Sequence, residues 1–145
     1  RRTNRDTSRG GGRRMTQTEI IDKLNSIYPG LDLVEATDPY SSYDAENERY
    51  IVEVKSRDKQ YRSWVIEKKK FDNNIIKSVE TRKMFVYLTE YDGKIMTWNI
   101  HNLVRKGYDF QWTQQLMPQT TEFDNKKVIT KEVGFLYEGK AKVHT

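Results

Sequence analysis

The chain has 145 residues, of which 35% are hydrophobic, enough to build one domain around a single core but not two. It contains no cysteine, which excludes disulfides and thiolate metal sites and makes a reducing cytoplasm the expected setting. The formal charge is +5, but six of the 26 basic residues and one of the 21 acidic ones lie in residues 1–14, so the remainder is formally neutral and its overall basicity says little about partners.

Residues 1–14, RRTNRDTSRGGGRR, hold no apolar side chain that could pack. They are expected to form a disordered tail, either a leader outside the domain or an arginine-glycine arm that grips phosphates. Met15 looks like a natural start, and a single domain is expected over residues 15–145. Residues 16–28 predict a helix: Thr16 and Glu19 fit a capping box, Ile20, Ile21, Leu24, Ile27 and Tyr28 repeat on one face, and Pro29-Gly30 ends it. LDLVEAT, residues 31–37, alternates and predicts a first strand. Residues 43–55 predict a hairpin with ENER as its loop, Tyr50, Val52 and Val54 facing opposite to Ile51, Glu53 and Lys55.

After a polar connector, residues 63–80 read best as a helix, although Lys68 interrupts its apolar seam and a strand over residues 64–66 fits as well. Met84 opens a continuous apolar strand, expected to be buried on both faces, which turns at Asp92-Gly93 and returns through Ile100. HNLVRKG suggests a helical turn. Tyr108, Phe110 and Trp112 alternate as core residues or as platforms for splayed bases, and KVITKEVGFLY supplies a last strand. The order of helix, three strands, helix and further strands predicts an α+β, or mixed α/β, fold around one sheet. With no apolar run of membrane-spanning length and no secretory signal, a soluble cytoplasmic protein with no membrane partner is expected.

The hairpin carries the chemistry. Residues two apart on a strand share a face, so Glu53 and Lys55 project together. Centring the loop between Glu48 and Arg49 sets Asp44 across from Glu53. Two adjacent carboxylates repel unless a cation lies between them. Oxygen ligands of this kind suit Mg²⁺, which activates water and stabilises the leaving oxygen in phosphodiester hydrolysis. Lys55 would orient the water or offset transition-state charge. The plain alternative is an exposed Glu–Lys strand pair contributing about 0.2 to 1 kcal/mol.

With these residues the chain resembles the PD-(D/E)xK nuclease superfamily, whose shared core runs helix, three strands, helix, strand. Asp44 matches the first motif position, with YD in place of PD, and Glu53-Val54-Lys55 matches the (D/E)xK step. EVKSR resembles the corresponding string of Holliday-junction resolvases, and WVIEKKKFD a segment of small phage endonucleases; the likeness spans residues 16–100. It implies a Mg²⁺ (or Mn²⁺) dependent endonuclease acting on DNA, branched DNA included, as a homodimer. Asp44, Glu53 and the Val54 carbonyl would hold the metal, with Glu19 on the first helix as a further contact. Lys55 would be catalytic, Lys70 would reach the scissile phosphate from the second helix, and Arg57, Glu67 and Lys70 would contact substrate.

Several readings stay open beside this one. Asp38, before Pro39, rivals Asp44 as the first carboxylate. Glu67 and Lys70 fit an exposed salt-bridged helix face, and Glu19 fits a simple cap. His101 lacks the second histidine a ββα-metal nuclease needs, because His144 is expected at a frayed C-terminus. The same fold could also serve as a non-catalytic module that binds nucleic acid or a host protein, and the sequence does not separate DNA from RNA.

Overall fold

A computed structural model describes residues 14–58, 63–118 and 127–145; the arginine-rich stretch 1–13 lies outside the described residues. Thr16 caps the first helix, α1 (Gln17–Ile27): its hydroxyl accepts the Glu19 amide while the Glu19 carboxylate accepts the Thr16 amide at 2.8 Å. Ile20, Ile21 and Leu24 form its buried face. The chain leaves through Pro29 and Gly30, the latter at φ +91°, where a side chain would be strained.

The strands are β1 (Val34–Glu35), β2 (Ala45–Glu46), β3 (Tyr50–Arg57), β4 (Ser63–Glu67), β5 (Met84–Tyr91), β6 (Lys94–Asn99), β7 (Thr113–Pro118), β8 (Val128–Tyr137) and β9 (Lys142–His144). Two further helices are α2 (Lys68–Thr81) and α3 (Ile100–Arg105). Six strands form a mixed sheet in the order β1-β2-β3-β5-β6-β9, and β4-β8-β7 form a second, antiparallel sheet. Within the large sheet only β3 and β5 run parallel, joined by the crossover through β4 and α2. The mixed α/β class is therefore as expected from the sequence.

The sheet has two cores. On one face Ile20, Ile21 and Leu24 pack on Val52, Val54 and Leu88. On the other, Ile51, Phe85 and Tyr87 meet Trp64, Ile66 and Leu136 of the second sheet, with Phe71 and Ile75 of α2 at the margin. Burying each of these large side chains contributes about 1.5 to 3 kcal/mol before chain entropy is counted.

Five expectations need correction. The strands do not share one sheet, because β4 pairs with the late strand β8 and forms a second sheet with β7. The strand over 31–37 shrinks to two residues because Asp32 sits at φ +54° and Asn25 bonds both the amide and the carbonyl of Leu33, leaving that stretch tied to α1. The helix over 63–80 is strand β4 for its first five residues: Trp64 and Ile66 are buried alternately against β8, and the helix starts only at Lys68. Residues 108–112 are not a strand, since Gln111 at φ +55° bends them, although Phe110 is core and stacks on Trp112. His144 is not frayed but 7% exposed in β9, its ring bonded to Tyr28 Oη at 2.6 Å and Thr97 Oγ1 at 2.7 Å. By contrast, Met84–Tyr91 is interior as expected, and the Asp92-Gly93 turn returns it as β6.

Candidate functional site

The site begins with the register of the hairpin. Ala45 pairs with Val52 and Glu46 with Ile51, so one step further Asp44 stands opposite Glu53, and the Asp44 amide donates to the Val52 carbonyl at 2.8 Å. Asn47 fixes the loop by accepting the Arg49 and Tyr50 amides on its side-chain oxygen. Beyond this point β2 has ended, while β3 continues to Arg57 with only its β5 edge paired along that length. The Asp44 carboxylate takes the next rung of the ladder, accepting the Val54 amide on Oδ2 at 2.7 Å. Amide and carbonyl of one residue in an extended strand point to the same side, so the Val54 carbonyl faces this same edge.

Glu53 is 4% exposed, and burial pushes its carboxyl up to about 7. Lys55 and Lys70 oppose that rise, while the negative charges of Asp44 and Glu67 add to it. Asp44 is also raised, first by burial, against the pull of the Val54 amide, Lys55 and Lys70. Lys55 Nζ lies 3.9 Å from Glu53 Oε2. Asn74 donates to Glu53 Oε1 at 3.2 Å, and its own Oδ1 is buried without a hydrogen-bond partner. Tyr87, opposite Glu53 on β5, donates its hydroxyl to the Val65 carbonyl, and burial raises its pKa so that it stays protonated.

Helix α2 explains how Lys70 and Asn74 arrive here. Lys70, Asn74 and Ser78 are four residues apart and share one helical face; Asn74 and Ser78 are the helix's buried residues. Within that stripe Asn74 reaches Glu53, Ser78 donates to the Ile75 carbonyl of its own helix, and Lys70 is exposed at the N-terminal end. Beside it runs a groove of about 980 Å³ walled by Lys55, Lys68, Lys69, Lys70 and Lys131, with Glu67, Asp72 and Glu132 among them. Lys131 pairs with Glu67 at 3.3 Å, and Lys68 pairs with Asp72 while lying over the Trp112 ring. Tyr40, 93% exposed, stands on the groove's lip.

Of the residues singled out from sequence, Asp44, Glu53, Val54, Lys55 and Lys70 come together. Glu67 forms the groove wall, and Arg57 shares the Glu53 face with its Nη2 3.4 Å from Tyr87 Oη. Glu19 stands apart in this respect: its carboxylate bonds the Thr16 amide, and the acid of that region that acts on Asp44 is Glu35, which accepts from Gln17 and Thr18. Asp38 lies in an exposed turn where its carboxylate accepts the Tyr40 amide, and His101 is exposed on α3. Asn74, Glu35 and Lys131 escaped the sequence reading. Asn74 had a signal, the Lys70/Asn74/Ser78 spacing; Lys131 had none, because its place depends on a strand pairing far along the chain.

Among the described residues no group of three or more His, Cys, Asp or Glu converges. Two carboxylates and a main-chain carbonyl are hard oxygen donors, and together they fit an ion such as Mg²⁺ that keeps several waters better than one needing a full protein cage. No protein-family model, no curated protein and no solved structure matches this chain.

Proposed function

We propose that the protein is a Mg²⁺-dependent endonuclease of the PD-(D/E)xK kind that hydrolyses phosphodiester bonds in DNA. One observation carries the reading: Asp44 and Glu53 face each other at the open edge of β3, with Lys55 beside Glu53 and Lys70 acting on both acids. The order α1, β1 to β3, α2, β5 around the parallel β3–β5 pair supports it further, with β4 of the second sheet inserted ahead of α2. Asp44, Glu53 and the Val54 carbonyl would hold the ion, which supplies an activated water and charge stabilisation at the phosphate. Lys55 holds positive charge where negative charge develops, and Lys70 binds the phosphate next to the cleaved bond. Asn74 orients the Glu53 carboxylate. The lysine-walled groove supplies the local positive field that a neutral body lacks overall, with the Tyr40 ring positioned for stacking on an unpaired base. A branched substrate with two symmetric cuts suits a homodimer.

A second reading rests on the same contacts. Glu53 bonded to Asn74 and paired with Lys55 also describes a buried polar knot fastening α2 to the sheet in a module that binds nucleic acid without cutting it. The deciding experiment incubates the protein with duplex, single-stranded and four-way-junction DNA and with RNA, with and without Mg²⁺. Cleavage that needs the metal and disappears in folded Glu53→Gln supports the enzyme. Binding of DNA without cleavage, and no saturable Mg²⁺ or Mn²⁺ binding up to millimolar concentration, supports the module.

A further inference from the structure

The opposite face of the large sheet holds a second cavity, of about 780 Å³, built from different residues. Its accessible aliphatic lining is Leu31, Val86 and Leu103, laid over a buried layer of Leu24 from α1, Leu33, Val52 and Leu88. Val52 and Leu88 have even numbers on β3 and β5, so they project away from Glu53 and Lys55. Four cations stand around the cavity, Arg49, Lys106, Lys140 and Lys142, and no Asp or Glu lines it. None of the four has an ion-pair partner among the described residues, whereas Lys55, Lys68, Lys83, Lys94 and Lys131 are each paired. Two of them lie on tyrosine rings of the wall: Lys142 is 5.5 Å from the Tyr28 centroid and Arg49 5.8 Å from that of Tyr50.

Unpaired cations gathered over an apolar floor repel one another, and an anion between them removes that cost. The chain's own arginine-rich stretch has the wrong sign to fill the space. A bare inorganic anion would leave the floor empty. The occupant therefore needs an apolar body and a negatively charged group. The walls add polar edges: the Tyr50 hydroxyl and the Asn102 amide nitrogen have no hydrogen-bond partner among the described residues, which suits a heterocycle with ring heteroatoms better than an alkyl chain. Pockets of this volume take ligands of that size.

We propose that this cavity binds a nucleoside phosphate, its base on the Leu31/Val86/Leu103 surface and its phosphates between Lys106, Lys140, Lys142 and Arg49. The site is separate from the Glu53 groove, and its occupancy does not depend on whether that groove cuts DNA.

The test uses the ¹⁵N-labelled full chain without divalent metal, titrated with ATP, inorganic pyrophosphate and dodecanoate. ATP is expected to bind saturably below 1 mM, shifting the amide resonances of Leu31, Val86, Leu103 and His144. Pyrophosphate, which lacks the body, is expected to bind at least about tenfold more weakly. Lys106→Glu with Lys142→Glu should weaken ATP at least about tenfold, while Lys70→Ala, in the other groove, leaves it unchanged; matching far-ultraviolet spectra confirm that the variants fold. Should the double variant be unstable, Val86→Trp, which projects into the cavity, is expected to abolish ATP binding instead. The proposal is overturned if ATP fails to saturate below 1 mM, if pyrophosphate binds as well as ATP, if only dodecanoate binds, or if the shifts map to Lys55 and Lys70.

Discussion

The two faces of strand β3 each bury apolar side chains and a carboxylate, but they satisfy the carboxylate differently. Toward α1, Val52 and Val54 meet Ile20, Ile21 and Leu24 in an apolar seam, at whose far end the buried Glu90 accepts from the Ser56 hydroxyl and the Gly93 amide. Toward α2, the same strand offers Glu53, and the helix answers with Lys70 and Asn74, leaving a carboxyl raised to about 7 and an amide oxygen without a partner. Apolar packing on this side lies next to the polar stripe, where Ile51, Phe85 and Tyr87 meet Trp64, Ile66 and Leu136 and the Phe71 ring meets Phe110 and Trp112 edge-on. Both faces stabilise the fold through their apolar clusters, but Glu90 has both carboxylate oxygens hydrogen-bonded, whereas Glu53 is held out of water beside an amide oxygen that has no partner, at a cost in stability. Such a cost is characteristic of functional sites, where local packing rules are broken and offset elsewhere.

Substitutions can pull the two faces apart. The largest effect expected is on the polar side: Glu53→Gln should lower metal-dependent DNA cleavage by about 10² to 10³-fold, measured on folded protein. Leu24→Ala on the apolar side should do the reverse, lowering unfolding free energy by about 2 to 5 kcal/mol in a urea titration while cleavage per folded molecule is unchanged. Unchanged stability in that variant would mean that the α1 face does not stabilise the fold.

The pH dependence sharpens the contrast. Folded Glu53 holds its proton up to about 7, whereas the unfolded chain releases it near 4.5, so between those values the native state binds more protons. The stability of metal-free protein should therefore fall as pH rises across that window, by about 3 kcal/mol in total, and the raised Asp44 acts in the same direction. Glu53→Gln should flatten the slope, and millimolar Mg²⁺ should reverse it if the carboxylates bind the ion. The smallest effect is that of Asn74→Ala. It removes a hydrogen bond to the ionised carboxylate, so the Glu53 midpoint should move further up, with a change of about 1 kcal/mol in stability at neutral pH.

The parts legible in the sequence were those set by short-range rules. The capping box at Thr16 and Glu19, the Asp92-Gly93 turn and the placing of Asp44 across from Glu53 all follow from spacing within a few residues. Where partners lie far along the chain, spacing was silent. Trp64 to Ile66 satisfies helical and strand periods equally, and β8 decides between them. His144 gained its place from β6 and Tyr28. The uneven apolar pattern of α2 looked like a weak helix signal. It arose because Trp64 and Ile66 belong to strand β4, so the spacing of the helix itself begins only at Lys68.

The pairing of β4 with β8 has a bearing on how the molecule is assembled. Residues 63–67 are held by residues 133–137, and β4 runs straight into the first turn of α2 that carries Lys70. Contacts of such long sequence separation pay their loop entropy before they return any stability. Asp44, Glu53 and Lys55 belong to a local hairpin and can meet early, whereas the α2 side of the groove, with Lys70, is anchored only once residues 133–137 have been made. A nascent chain ending before Val128 would carry both acids and Lys55 without the strand that anchors the α2 side.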